Sequence, residues 1–291
     1  MKALPLLLAC LPLLTACHVE VDSKTGEVKK VNISLSKDKV TVTDTAPVAK
    51  ESRKVAAIKA IESYGPIDID VTIGDVPAME LEGSAKVLSY IKTVVEGDTL
   101  KVRMEPDENL TIVVPLKVKL VTPALRSISS FGSGDISVRE LKGGELDVTS
   151  KGSSDLTLAG RVDKLVASLQ GSGDLNGEAL ESGSAELSIV GSGDMKLSKV
   201  NAQTLYLDIK GSGSIEVHGQ TKQVKANVFG SGDATLTGLT SQQADLAVFG
   251  SGDITATVAE QVKASTRGSG NIAIYGNPSK REVSGDGIEF L

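Results

Sequence analysis

The sequence predicts an all-β fold, a parallel β-helix (solenoid) with about 20 residues per rung, and three observations predict it. Related Gly-Ser-Gly-Asp tetrapeptides begin at Gly132, Gly152, Gly171, Gly191, Gly211, Gly230, Gly250 and Gly268, in steps of 20, 19, 20, 20, 19, 20 and 18. A fixed period of that size is the signature of a repeat solenoid. Apolar residues around each tetrapeptide alternate with a period of two, as in Leu205, Leu207 and Ile209. That is the periodicity of strands. No copy leaves room for a useful helix, and the Leu-x-x-Leu-x-Leu pattern of leucine-rich repeats is absent.

The elements follow in chain order. "MKALPLLLACLPLLTAC" has Lys2 as a basic start, an apolar run from Ala3 to Leu14 and a small-residue site, the pattern of a secretory signal. The run is too short to span a bilayer, and no later segment reaches ~18 continuous apolar residues. Leu14-Thr15-Ala16-Cys17 resembles a bacterial lipobox, which implies cleavage after residue 16 and acylation of Cys17. Each buried methylene contributes about 0.8 kcal/mol, so two or more chains make attachment stable. His18 in the next position, rather than Asp, implies the outer membrane by resemblance to enterobacterial sorting rules. Cys10 leaves with the signal, so no intrachain disulfide, cysteine metal site or catalytic thiol remains. The mature chain carries 30 basic and 37 acidic residues, or −7, against −6 before cleavage. An acidic balance argues against a nucleic-acid partner.

Residues 17–55 read as a polar tether with two short strand candidates, Val31–Leu35 and Lys39–Val42, and a spacer character overall. Residues 56–291 read as the β-helix. Four positions before each first glycine stand Ile128, Val148, Ala167, Leu187, Leu207, Ala226, Leu246 and Ala264. Four positions after it stand Ile136, Leu156, Leu175, Met195, Ile215, Ala234, Ile254 and Ile272. These two sets are the expected core. The tetrapeptide between them is a corner, where glycine supplies backbone angles closed to other residues and Ser and Asp bond nearby backbone. The ending, with Pro278 and Lys280-Arg281, breaks the period and reads as a cap.

Several ordered motifs resemble the head GIN domain family, also labelled "putative auto-transporter adhesin". They are "GPIDIDVTIGD" (65–75), "LSYIKTVVEGDTLKV" (88–102), "VTPALRSISSFGSGDISV" (121–138) and "IYGNPSKREVSGDGIEFL" (274–291). The resemblance covers about residues 55–291 and implies a right-handed parallel β-helix. No C-terminal stretch resembles a translocator barrel, so a lipid anchor takes that place.

Four chemistries are candidates for this pattern of residues. Asp135, Asp155, Asp174, Asp194, Asp233 and Asp253 share one repeat position, with Ser214 and Asn271 in two rungs. Stacked at the ~4.8 Å strand spacing, they form a candidate cation ladder, but Ca²⁺ wants six to eight oxygens and each rung supplies one carboxylate. Turn carboxylates bonded to local amides are the simpler reading, and no cofactor is expected. A phosphate loop needs a helix after the glycines, and here a strand follows each time. His18 and His218 are the only histidines, and His218 reads as a surface turn residue; no catalytic group is assigned. Phe131, Phe229 and Phe249 share the position before the glycine, where packing within the stack is the expected role. The function read from this is a non-enzymatic, lipid-anchored envelope protein that presents a β-helix face for adhesion or binding, with glycan or a surface protein as partner. A polysaccharide-active enzyme and a self-assembling scaffold are the alternatives.

Overall fold

The computed structural model describes residues 16–21, 28–34, 48–105 and 116–291. The described residues fall into two units, residues 16–21 with 28–34, and residues 48–105 with 116–291. In the first, Ala16–Val21 pairs antiparallel with Val28–Ser34, Cys17 opposite Ile33 and His18 opposite Asn32. The expected strand at 31–35 thus exists, but its partner is 16–21. The strand expected at Lys39–Val42 and the signal residues up to 15 lie outside the described residues.

The second unit is an almost purely β-structure, a solenoid of about 8 turns at about 20 residues per rung. One column of parallel strands runs Ala60–Gly65, Ser127–Gly132, Glu145–Gly152, Lys164–Gly171 and Ala185–Gly191. It continues through the C-terminal parts of Met195–Gly211, Ile215–Gly230, Ala234–Gly250 and Ile254–Gly268, and ends at Lys280–Ser284. We call it the long face. A second column begins at Asp68–Ile73 and Ile136–Lys142 and ends at Ile272–Tyr275 and Ile288–Phe290. Between the two, register shifts such as that between Leu197 and Val200 mark where each rung turns onto a short third segment.

Both predicted core sets are buried, and each member faces its counterpart one rung away: Leu187 opposite Leu207, Leu207 opposite Ala226, Met195 opposite Ile215. Every buried Val, Leu or Ile contributes about 1.5–3 kcal/mol, and the mixture of Leu and Ala lets neighbouring layers interlock at close-packed density.

Both ends of the column are built differently from the middle. After its first rung (60–73) the chain leaves the stack and rejoins it at Ser127. The insertion lays Thr99–Met104 parallel on Ala60–Gly65, with Ile91–Glu96 antiparallel outside it. It lays Lys117–Thr122 parallel on Asp68–Ile73, with Ala78–Ser84 antiparallel outside that. Val48–Arg53, assigned from sequence to the tether, pairs with Ala78–Ser84 as the outermost strand. A single helical turn, Ala85–Leu88, is capped by Ser84 Oγ accepting from Val87 N and buries Val87 and Leu88. At the other end the segment expected to be a cap is one further rung, with Arg281 in register with the buried Val262. The Arg281 guanidinium lies 4.0 Å from the Phe290 ring centroid and donates to Pro278 O (3.0 Å) and Asn277 Oδ1 (2.7 Å). A charge at a core register position is one way to blunt a strand edge.

Candidate functional site

The corners stack as the sequence requires: Gly171 is in register with Gly191, Gly191 with Gly211, and so on to Gly268. The two glycines serve different ends. Gly191 has φ +145, a region side chains rarely enter, whereas Gly193 has no positive φ. What both positions require is closeness. A Cβ on Gly191 would collide with the carbonyl oxygen of Gly171, and one on Gly193 with that of Gly173. The carbonyls are close because they bond across rungs: Ser192 N donates to Gly171 O at 2.9 Å, and Ser212 N to Gly191 O at 2.9 Å.

One corner escaped the sequence reading. Gly65-Pro66-Ile67-Asp68 lacks the spelling, yet Gly65 is in register with Gly132, and Asp135 N donates to Asp68 Oδ1 at 3.0 Å. The signal available in sequence was the Gly-x-x-Asp spacing alone.

The aspartates form a relay. Asp155 N donates to Asp135 Oδ1 (3.1 Å), Asp174 N to Asp155 Oδ1 (3.0 Å) and Asp194 N to Asp174 Oδ1 (2.8 Å). Ser214 N donates to Asp194 Oδ1 (2.7 Å), Asp253 N to Asp233 Oδ1 (2.8 Å) and Asn271 N to Asp253 Oδ1 (2.7 Å). Each carboxylate therefore holds the amide of the next rung rather than one in its own turn. With one oxygen so engaged and one carboxylate per rung, the donor set does not fit Ca²⁺. Among the described residues no three His, Cys, Asp or Glu side chains converge on a point that could hold a metal ion. His218 lies in a strand at the register shift between Val217 and Gly219, not in a turn, and its Nε2 is 2.8 Å from Glu216 Oε1.

The position before the first glycine is richer than three scattered Phe residues. Read rung by rung it is Tyr64, Phe131, Lys151, Gln170, Val190, Lys210, Phe229, Phe249 and Arg267, with Arg103 beside Tyr64 at the cap. Tyr64 stacks on Phe131 with centroids 4.9 Å apart, and Phe229 on Phe249 at 4.9 Å. Lys151 lies 6.0 Å from the Phe131 centroid, Lys210 5.9 Å from Phe229 and Arg267 6.0 Å from Phe249, within the range of cation–π attraction. The five apolar members are 37–46% exposed. The column contains no acid, although acids outnumber bases in the chain. The corner thus carries an aromatic and cationic strip, a serine strip, and a carboxylate strip, side by side.

Beside this strip the long face has a shallow trough of about 360 Å³, floored by Ser168, Ser188, Asp208 and Asn227 and banked by Tyr206 and Lys225. Among the described residues no helix is long and apolar enough to cross a membrane.

This constellation, a β-solenoid whose corner carries stacked rings and cations in an outward column, defines the class of protein as a parallel β-helix with a regular repeated edge. The family described as "Putative auto-transporter adhesin, head GIN domain" matches residues 57–179 and 167–278, and the chain belongs to it. No functionally curated protein matches in sequence. Among the solved structures that share the fold are three from Parabacteroides. A "putative adhesin" from Parabacteroides merdae ATCC 43184 is 20% identical with TM-score 0.68, covering 87% of this chain and 99% of its own. A "putative adhesin" from Parabacteroides distasonis ATCC 8503 is 22% identical with TM-score 0.67, covering 87% and 100%. A "putative lipid binding protein" from the same organism is 21% identical with TM-score 0.65, covering 87% and 100%.

Proposed function

We propose that the protein is a non-enzymatic adhesion module, anchored in the outer membrane through acylated Cys17, that binds an extended acidic polymer along its aromatic and cationic column. The observation that carries this reading is the absence of any acid from that column in an acidic chain. Stacked rings turn their partly positive edges outward, because aromatic neighbours and cations cover their faces. Edges and cations together suit carboxylates of an envelope or surface glycan better than the apolar face of a sugar ring. No observation favours a polysaccharide-cleaving enzyme: the corner acids serve as amide acceptors, and His218 contacts Glu216 on its own strand.

The test is binding to an immobilised acidic polysaccharide and to its neutral counterpart. The Lys151→Glu/Arg267→Glu pair should weaken the acidic interaction at least tenfold and leave the fold intact. Equal binding of both polymers, or indifference to the double change, refutes it. Palmitate labelling that disappears with Cys17→Ala tests the anchor, and protease shaving of intact cells tests surface display.

A further inference from the structure

A broad concavity lies away from the column, where the N-terminal insertion meets the first rungs. It encloses about 840 Å³, within the 300–1,000 Å³ typical of small-molecule sites. Its apolar wall comes from Val55, Pro77, Ala78 and Val121, and Val76, next to Pro77, is 76% exposed.

Six charged side chains line it, and four are neutralised within the cap. Arg53 pairs with Glu51 (2.8 Å) and also donates to the carbonyls of Ile91 and Leu88. Asp70 pairs with Lys117 (3.1 Å), Glu80 with Lys50 (3.0 Å) and Lys119 with Glu82 (2.6 Å). The two that remain are Lys54 and Arg139, and neither has a carboxylate within ion-pair distance among the described residues. They stand on different walls, Lys54 just past Val48–Arg53 and Arg139 on Ile136–Lys142. The residue after Arg139 is Glu140, the single non-glycine residue with positive φ (+62) among the described residues. It lies at the register shift between Val138 and Leu141, where the rung turns.

We propose that this concavity binds an anionic amphiphile, its carboxylate or phosphate head between Lys54 and Arg139 and its apolar body along Val55, Pro77 and Val121. In an acidic protein, a recess whose leftover charge is wholly positive selects an anion, and the apolar wall selects what the anion is attached to. Free fatty acid and phospholipid headgroup share this chemistry. The site stands independently of the adhesion column, and neither test uses the other's residues.

Calorimetric titration of the purified chain carrying Cys17→Ala, with monomeric tetradecanoate and with dodecanol, tests it. Saturable one-to-one binding of tetradecanoate is expected, at least tenfold tighter than dodecanol. The Lys54→Glu/Arg139→Glu variant should lose at least tenfold while its thermal midpoint holds, and Lys54→Arg/Arg139→Lys should retain binding. Sedimentation with phosphatidylglycerol vesicles, lost in the same charge-reversed variant, would assign the head to a lipid surface; tetradecanoate binding without sedimentation would assign a free ligand. Failure of both probes to bind, dodecanol binding as tightly as tetradecanoate, or binding indifferent to the charge reversal overturns the proposal.

Discussion

At the scale of single residues, a hairpin turn and a corner separate two reasons for a glycine that sequence alone merges. Gly97, in the turn between Ile91–Glu96 and Thr99–Met104, has φ +64 with open space around its absent side chain, so Gly97→Ala meets only the backbone penalty, roughly 1–2 kcal/mol. Gly193 has ordinary φ but no room, so Gly193→Ala must push two rungs apart and is expected to cost about 3 kcal/mol or more, the range of severe packing defects. Urea titration of both variants checks the order, and a reversed order refutes the close-approach account. The aspartates are explained at the same scale. Asp194→Ala removes the acceptor for Ser214 N and should cost about 1 kcal/mol. Asp194→Asn keeps an acceptor oxygen while removing one of a row of like charges, so it should be neutral or stabilising, most visibly at low salt. If the row instead held calcium, added Ca²⁺ would raise the melting temperature of the native protein and Asn would abolish that gain.

Elements show where the sequence was readable and where it was not. The period, the corner and both core columns were legible, because each rung repeats the same physical demand: apolar inward, glycine at the crowded bend. Gly65-Pro66-Ile67-Asp68 was not legible as a corner, since its stacking partner Gly132 lies 67 residues away and Ile67 replaces the second glycine. The aromatic column was half legible for the same reason: Tyr64 was hidden with its corner, and Lys151, Lys210 and Arg267 acquire meaning only when stacking places them over rings. The insertion was read as family motifs without its pairing, because antiparallel strands joined by irregular loops carry no period. Its stability has a pH signature. Lys119, then Lys50, hydrogen-bond Glu82 and hold its carboxyl down to about 2 from an ordinary 4.5. A carboxyl whose folded value is depressed contributes its stability above the unfolded value, and loses it as pH falls through the folded one. Glu82→Gln should therefore lower the thermal midpoint at pH 7, with the gap to the native protein closing between about pH 4.5 and 2. Amide exchange in Val48–Arg53, the strand Lys50 ties to Glu82, should accelerate in the variant at pH 7 and match the native protein near pH 2.

For the whole molecule, the decisive property is that each rung touches only its neighbours, so stability is close to a sum of rung and interface contributions. Gly171 and Gly191 occupy equivalent places in register, 20 residues apart. Excising residues 171–190 therefore joins Gln170 to Gly191 and restores a complete corner, with the Asp relay passing from Asp155 to Asp194. Excising residues 171–180 removes half a period and sets every later core residue against the wrong partner. The first deletion should fold with unchanged strand content per residue and a denaturant slope reduced in proportion to the surface lost, roughly one rung in eight. The second should fail to give a cooperative transition, because a half-rung offset sets each crowded glycine corner against strand residues of the rung below instead of against another glycine corner. The full-rung deletion also probes the aromatic and cationic column. The full-rung deletion removes Val190, keeps the Tyr64–Phe131–Lys151 and Lys210–Phe229–Phe249–Arg267 clusters intact, and brings them closer by one strand spacing, about 4.8 Å. A polymer that engages both clusters at once should bind the shortened protein with altered affinity for long chains and unchanged affinity for fragments too short to reach from one cluster to the other. Identical affinity at every chain length would mean that each cluster acts alone, and that the solenoid's regular spacing has no part in recognition.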